Sequence, residues 1–305
     1  MSPRVKKRLP IWHPRVWPTW VGLGVIWLIV HLPHRGQLAV GAGLGRLGLI
    51  LARRRRHIVD VNLEQCFPDM TGPERSALRR HVFRSTGMGL TETARAWLRP
   101  AEAYSPRVTI EGAEHLRAAA ARGKGVILLG MHLATLDLCG AALAREISFH
   151  VMYRPNKNPL IERIMTRGRA RNFAGVVHRE DMRGVLGCLK AGGILWYGPD
   201  QDYGPQHSIF APFFGRDAAT ITATARIARI TGSPVVVFSH YRSADERGYT
   251  VHLSPSLADF PTGDEVADAT RINGLVEDAI RVAPAQYWWM HRRFKTPREG
   301  SKRLY

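Results

Sequence analysis

Beyond about residue 107 the apolar positions fall into short runs separated by amphipathic stretches. Runs of strand length occur at VTIEG (108–112), GVILLG (125–130), SFHVMYRP (148–155), AGVVHR (174–179), GILWYGPDQ (193–201), SPVVVFSHYR (233–242) and GYTVHLSP (248–255). Helix-like spacing fills the intervals at 114–122, closed by Gly123, and at 133–146, 158–171, 183–190 and 220–230. The last two strands are joined by a charged turn at 244–248 and read as a hairpin. A final helix opens at a capping box, Thr262 to Glu265, and carries Val266, Ile272, Leu275, Val276 and Ile280 on one face. Repeated strand–helix alternation predicts an α/β fold, with a largely parallel or mixed sheet flanked by helices on both faces.

The first hundred residues follow a different pattern. Residues 57–100 are amphipathic and helical, opening at Pro73 and Glu74, punctuated by Val82, Phe83, Met88, Leu90 and Trp97, and stopped at Pro100. Ahead of them come Arg4, Lys6, Lys7, Arg8 and Arg15, then an uncharged run over 16–32. As a helix that run is roughly 25 Å long, a little short of a bilayer core of about 30 Å, with Trp17 and Trp20 placed for the interface. It is expected to be an N-terminal membrane-anchoring helix. A cleaved signal peptide fits less well, because Pro33, His34 and Arg35 follow with no small-x-small site. The segment 36–51 contains Arg46 and ends at the basic run 53–56, so it reads as a helix lying in the interface. The expected division is an anchor and interfacial segment over 1–56 and a folded domain over 57–305.

Charge narrows the partners. Lys and Arg number 44 against 25 Asp and Glu, a net +19, which calls for polyanionic company: nucleic acid, anionic lipid or an acidic protein. No RNP, helix-turn-helix or finger signature supports nucleic acid. The three cysteines are scattered, with no CxxC pair, so neither a disulfide framework nor a zinc ribbon follows. HExxH, EF-hand, P-loop and dinucleotide patterns are absent, so no metal or cofactor is implied. The chain also lacks a GxSxG elbow, which argues against a serine-acyl intermediate.

What chemistry there is centres on His132, just after the buried strand GVILLG and before a helix, with Asp137 five residues on. Within one continuous helix the two would lie about 140° apart and could not touch. The pair works only if His132 sits in the turn and Asp137 in the first turns of the helix; the carboxylate could then hold one imidazole nitrogen while the other takes a proton. The alternative is a satisfied histidine at a strand end. His240 and Asp245 share the spacing, but one continues a strand and the other lies in the charged hairpin turn, so that match is read as structural. Two other stretches stand out. YRPNKNPLIERIMTRGRAR (153–171) ends with Arg167, Arg169 and Arg171, either a solvated basic face or a phosphate or carboxylate site. WYGPDQDYGP (196–205) ends a buried strand in a loop holding Asp200 and Asp202. Loops at the C-terminal ends of parallel strands are where such sheets place their sites, and the His132 turn is another of them.

Taken in order, FPDM (67–70), GMHLATLD (130–137), the arginine-rich block (153–171), WYGPDQDYGPQHSIFAPFFG (196–215) and QYWWMHRRFKTPREG (286–300) resemble the lipid A biosynthesis acyltransferases, which add a secondary lauroyl or myristoyl chain. The resemblance covers nearly the whole chain. It implies an α/β acyltransferase of the glycerol-phosphate-acyltransferase type, in the inner membrane with its catalytic domain facing the cytoplasm. The implied reaction carries an acyl chain from acyl carrier protein to a hydroxyacyl arm of Kdo-modified lipid IVA. The family's catalytic histidine falls on His132 and its acidic partner on Asp137, where many members have Glu. The arginine after YRP falls on Arg169 and the aspartate of the GPD turn on Asp200. Arg154, Lys157 and Arg169 are then expected to hold phosphates or Kdo carboxylates. A related acyltransferase with a glycerophosphate or glycosylated phosphoinositide acceptor would share the catalytic pair. A non-catalytic basic protein, bound to membrane or nucleic acid, would not need it.

Overall fold

Every residue of Val126–Gly130 is buried, as a strand covered on both faces must be. It forms the middle of the sheet in the computed structural model, which describes residue 10 and residues 12–305; the expected basic residues Arg4, Lys6, Lys7 and Arg8 lie outside them. The strands are β1 (Val108–Glu111), β2 (Val126–Gly130), β3 (His150–Tyr153), β4 (Gly175–His178), β5 (Ile194–Tyr197), β6 (Ser208–Phe213), β7 (Arg216–Ile221), β8 (Val235–Arg242) and β9 (Tyr249–Leu253). Seven of them build one sheet in the order β1-β9-β8-β2-β5-β3-β4, parallel except for the β8–β9 hairpin. The helices are α1 (Trp17–His31), α2 (His34–Leu51), α3 (Arg53–Cys66), α4 (Gly72–Leu98), α5 (Ala113–Ala120), α6 (Leu136–Leu143), α7 (Pro159–Asn172), α8 (Met182–Lys190), α9 (Ala223–Thr231) and α10 (Glu265–Val282). This is the expected mixed, mostly parallel α/β architecture.

The pleat of β2 divides the core. Ile127 and Leu129 join one apolar cluster with residues of α3, α4, α8, α9 and α10. Val126 and Leu128 join another with residues of α5 and α6 on the opposite face. Three boundaries differ from the sequence reading. The helix expected over 133–146 starts only at Leu136, after an irregular turn that carries His132. The helix expected over 220–230 is shortened at its start by β7, half of an antiparallel β6–β7 hairpin that the apolar pattern did not reveal. The last helix is capped by Asp264, whose carboxylate accepts from Val266 and Ala267 N–H, rather than by a Thr262–Glu265 box. Aspartate one residue from the helix start reaches those amides directly, and Thr262 instead bonds Asp268.

The N-terminal helices pack on the rest of the chain. Gly45 and Gly87 let α2 and α4 meet backbone to backbone: a Cβ at Gly45 would lie 2.2 Å from the Phe83 carbonyl oxygen, and one at Gly87 would lie 2.1 Å from that of Gly41. α4 is tied in turn to the sheet by the buried pair Glu92–Arg242, with the Tyr249 hydroxyl donating to the same carboxylate. Among the described residues no helix is long and apolar enough to cross a membrane. α1 has 15 residues, roughly 22 Å of rise, and is stopped by Pro33, which disfavours helical backbone in the residue before it. The expectation of a spanning helix is therefore not met, although Trp17, Val21, Val25, Trp27 and Leu28 on α1 are exposed.

Candidate active site

Parallel strands end at the same edge of a sheet, so the loops after β2, β5 and β3 are neighbours. The loop after β2 carries His132, and the loop after β5 carries Asp200. Asp200 is fully buried and grips His132 twice: Oδ2 accepts the backbone N–H at 2.9 Å, and Oδ1 lies 2.6 Å from Nδ1. A carboxylate can only accept here, so Nδ1 carries the proton and Nε2 is left as the basic nitrogen. The imidazole is 31% exposed and lines a pocket of about 210 Å³ with Gly89, Leu90, Thr93, Asp137 and Trp288.

Backbone contacts fix the turn. Trp288 N–H donates to the His132 carbonyl at 2.9 Å, and Ala134 N–H donates to Gln286 at 2.7 Å. The Tyr287 hydroxyl donates to the Asp200 carbonyl at 3.1 Å. Gly198 keeps the GPD turn close, because a Cβ there would lie 3.1 Å from His132 Cε1. Trp196 presents its ring edgewise to the imidazole at 6.0 Å.

The electrostatics follow from this contact. Burial works against the imidazolium, but the charge and hydrogen bond of Asp200 outweigh it and raise His132 above its ordinary value. Burial likewise opposes the Asp200 carboxylate, and His132 together with the backbone hydrogen bonds holds it below the usual range. Asp137 adds a smaller, longer-range pull in favour of the imidazolium.

Asp137 does not hold the imidazole as expected. It lies in the first turn of α6, and its Oδ1 accepts from Arg169 Nε at 3.1 Å, Arg169 Nη2 at 3.0 Å and Trp97 Nε1 at 3.1 Å. The guanidinium from α7 turns Asp137 one way, and the Asp200 carboxylate, 68 residues from His132, holds the ring the other way. Thus His132 and Asp200 form one pair, Asp137 and Arg169 a second, and Asp137 and His132 line the same pocket. Arg154 and Lys157 are exposed in the β3–α7 loop, and among the described residues neither makes an ion pair. His240 and Asp245 are kept apart: His240 is buried in β8 against the Thr135 hydroxyl, and Asp245 caps its own turn. Burial and the charge of His132 push His240 down to about 3. No cluster of His, Cys, Asp or Glu suited to a metal occurs among the described residues.

Local spacing could not reveal Trp97 or the 286–288 segment, which the sequence marks only as helix punctuation and as part of a family block. A histidine held by a buried carboxylate in an open pocket, with no serine or cysteine among the described residues that line it, suits proton transfer to and from a substrate hydroxyl. Comparison with known proteins gives the family. The family model described as bacterial lipid A biosynthesis acyltransferase matches residues 4–296. The lipid A biosynthesis lauroyltransferase of Escherichia coli K12 is 42% identical, with 94% of each chain covered. The palmitoleoyltransferase of the same organism is 38% identical over 100% of both chains. A lipid A biosynthesis acyltransferase of Haemophilus influenzae is 36% identical over 96% of this chain and 95% of its own. The chain therefore belongs to the bacterial lipid A biosynthesis acyltransferase family and is an acyltransferase.

Proposed function

We propose that this acyltransferase moves a fatty acyl chain from acyl carrier protein to the hydroxyl of a 3-hydroxyacyl arm on Kdo-modified lipid IVA. The observation that carries the proposal is His132 Nε2, free in an open pocket while Nδ1 is held by a buried carboxylate. Nε2 takes the proton of the acceptor hydroxyl as its oxygen attacks the thioester carbonyl. The C–S bond then breaks, and the imidazolium returns the proton to the departing thiolate. Asp200 orients the ring and stabilises its charged form, the part the sequence reading gave to Asp137. Asp137 and Arg169 act together as a positioning pair beside the base. Arg154 and Lys157, exposed at the same sheet edge, suit phosphates or carboxylates of the acceptor.

The net charge of +19 suits both an acidic carrier protein and anionic lipid. The exposed apolar side chains of α1 suit attachment within the interface of the inner membrane, with the catalytic domain on the cytoplasmic side where acyl carrier protein is found. The test is transfer from acyl carrier protein to purified acceptor, read by mass spectrometry. His132→Ala should lose about 10²- to 10⁴-fold in turnover while staying folded. Near-normal turnover in that variant refutes the mechanism, and acylation of glycerophosphate in preference to the lipid A precursor refutes the acceptor. Flotation with anionic vesicles tests attachment, and protease cleavage of the 107–300 region from the periplasm would overturn the orientation.

A further inference from the structure

β3 and β4 run parallel with Tyr153 opposite His178, and the two rings meet edgewise at 6.0 Å. Partners in such a pair share a face, and the strands lie roughly 5 Å apart. The Arg179 N–H donates to the Tyr153 carbonyl at 2.9 Å, so the pairing runs one step past the strands. It brings Arg154 and Arg179 side by side at the sheet edge that also carries His132 and Asp200. Neighbouring cations repel, and little nearby offsets that. Glu180 Oε1 lies 3.7 Å from Arg179 Nη2, but its side chain is 73% exposed, and such surface pairs contribute little. Arg179 is nevertheless held in place. Its guanidinium lies 5.9 Å from the centre of the Tyr203 ring. Tyr203 follows the GPD turn, and its hydroxyl donates to the Gly198 carbonyl at 3.1 Å, beside the imidazole. A guanidinium whose face rests on a ring keeps its N–H groups, which lie in its plane, for an anion. The loop that supplies Asp200 to the base thus also supplies a platform for Arg179.

We infer that Arg154 and Arg179 together hold a phosphomonoester of the acceptor, with Tyr203 fixing the second arginine. The inference rests on the proposed transfer to a phosphorylated lipid and narrows it to a named subsite. A phosphomonoester is close to a dianion and has three terminal oxygens, which two guanidinium forks can share. A carboxylate has two oxygens, and one fork fills both. The phosphodiester in the pantetheine arm of the donor likewise leaves only two oxygens free. The chemistry of the pair therefore favours the acceptor. A group bound here lies away from the reacting hydroxyl, so its contribution is the same before and during the chemical step and appears in KM.

The experiment measures kcat and KM of the full-length enzyme for Kdo-modified lipid IVA, intact and after a phosphatase has stripped its phosphates. Arg154→Gln and Arg179→Gln should each raise the KM for intact acceptor about tenfold and change kcat far less. On stripped acceptor the unmodified enzyme should lose that advantage, and the variants should lose nothing further. Arg179→Lys keeps the charge without the fork and should recover only part of the loss. Tyr203→Leu should raise the KM about threefold, but not in the Arg179→Gln background, since it acts through that side chain. Arg183→Gln, which removes an exposed cation from α8, is the control and should change nothing. Equal penalties on intact and stripped acceptor overturn the inference and assign the arginines to carboxylates or to general surface charge. A raised KM for the donor alone overturns it in favour of the donor's phosphodiester. Titration calorimetry with inorganic phosphate gives a readout without turnover: binding should be saturable and about tenfold weaker in each glutamine variant, and binding that is absent or unchanged also overturns the inference. An unmodified enzyme that binds phosphate yet acylates no lipid IVA refutes the proposed reaction instead.

Discussion

Replacing Asp200 with asparagine leaves shape nearly unchanged and tests which carboxylate serves the base. Asp200 gives one oxygen to the backbone N–H of His132 and the other to Nδ1. Asparagine has only one acceptor oxygen. If that oxygen keeps the backbone N–H, the amide NH₂ faces Nδ1 and donates to it. The ring proton then moves to Nε2, and the nitrogen facing the pocket is no longer basic. A charge-assisted hydrogen bond worth about 1.5–3 kcal/mol is lost as well. Replacing a buried orienting carboxylate by its amide in this way costs about 10⁴-fold in kcat in a well-studied triad, so a loss of about 10³- to 10⁴-fold is expected here. Asp137→Asn leaves the His132 tautomer alone and should cost less, about 10- to 100-fold, through the loosened Arg169. The pH profile adds a sign. The base must be neutral, and Asp200 raises its pKa, so unmodified enzyme should gain activity with pH along a limb above about 6.5. Without the charge of Asp200, burial is less opposed, and the limb of any residual activity should move to lower pH. The assay is acyl transfer at matched amounts of folded enzyme. A loss under tenfold for Asp200→Asn, or a greater loss for Asp137→Asn, would refute this division of roles.

Arg169→Ala leaves Asp137 with the Trp97 indole and should reduce turnover about 10- to 100-fold, well beyond the exposed Arg53→Ala; equal small effects would reduce Arg169 to a surface charge. Glu92→Gln removes the charge that Arg242 is buried against and should cost about 3–5 kcal/mol, measured by denaturant unfolding, whereas a loss under about 1 kcal/mol would mean the site readily hydrates or rearranges. His240→Ala should lower stability and leave turnover per folded molecule little changed, and a larger kinetic loss than that of His132→Ala would transfer the chemistry to His240.

Strand and helix alternation, the β8–β9 hairpin and the central position of GVILLG were legible because each depends on local periodicity. The β6–β7 hairpin was not, since APFFG and DAATI show no clean alternation and are shaped by contacts with α10. At the site, the spacing from His132 to Asp137 is visible in the chain, but which side chain faces the ring depends on a neighbouring strand. Parallel pairing of β2 with β5 carries Asp200 to the imidazole, and Arg169 on α7 draws Asp137 aside. The sequence identified both loops as members of one sheet edge; the pairing inside that edge is a tertiary fact. The 16–32 run shows the same limit, for hydropathy marks it as apolar without showing that one face of it would line a cavity of the folded chain.

The contacts of Gln286, Tyr287 and Trp288 with the His132 turn bear on how the enzyme comes into being. Synthesis proceeds from the N-terminus, and His132, Asp200 and the segment that braces both are made far apart in time. A nascent chain in which every strand of the sheet and α10 have been made still lacks the strap that fixes His132. Premature termination after α10 should remove not only that brace but also Tyr287, Trp289, Met290 and Phe294 from the main apolar core, so the fold and the geometry at His132 are completed together, late in translation.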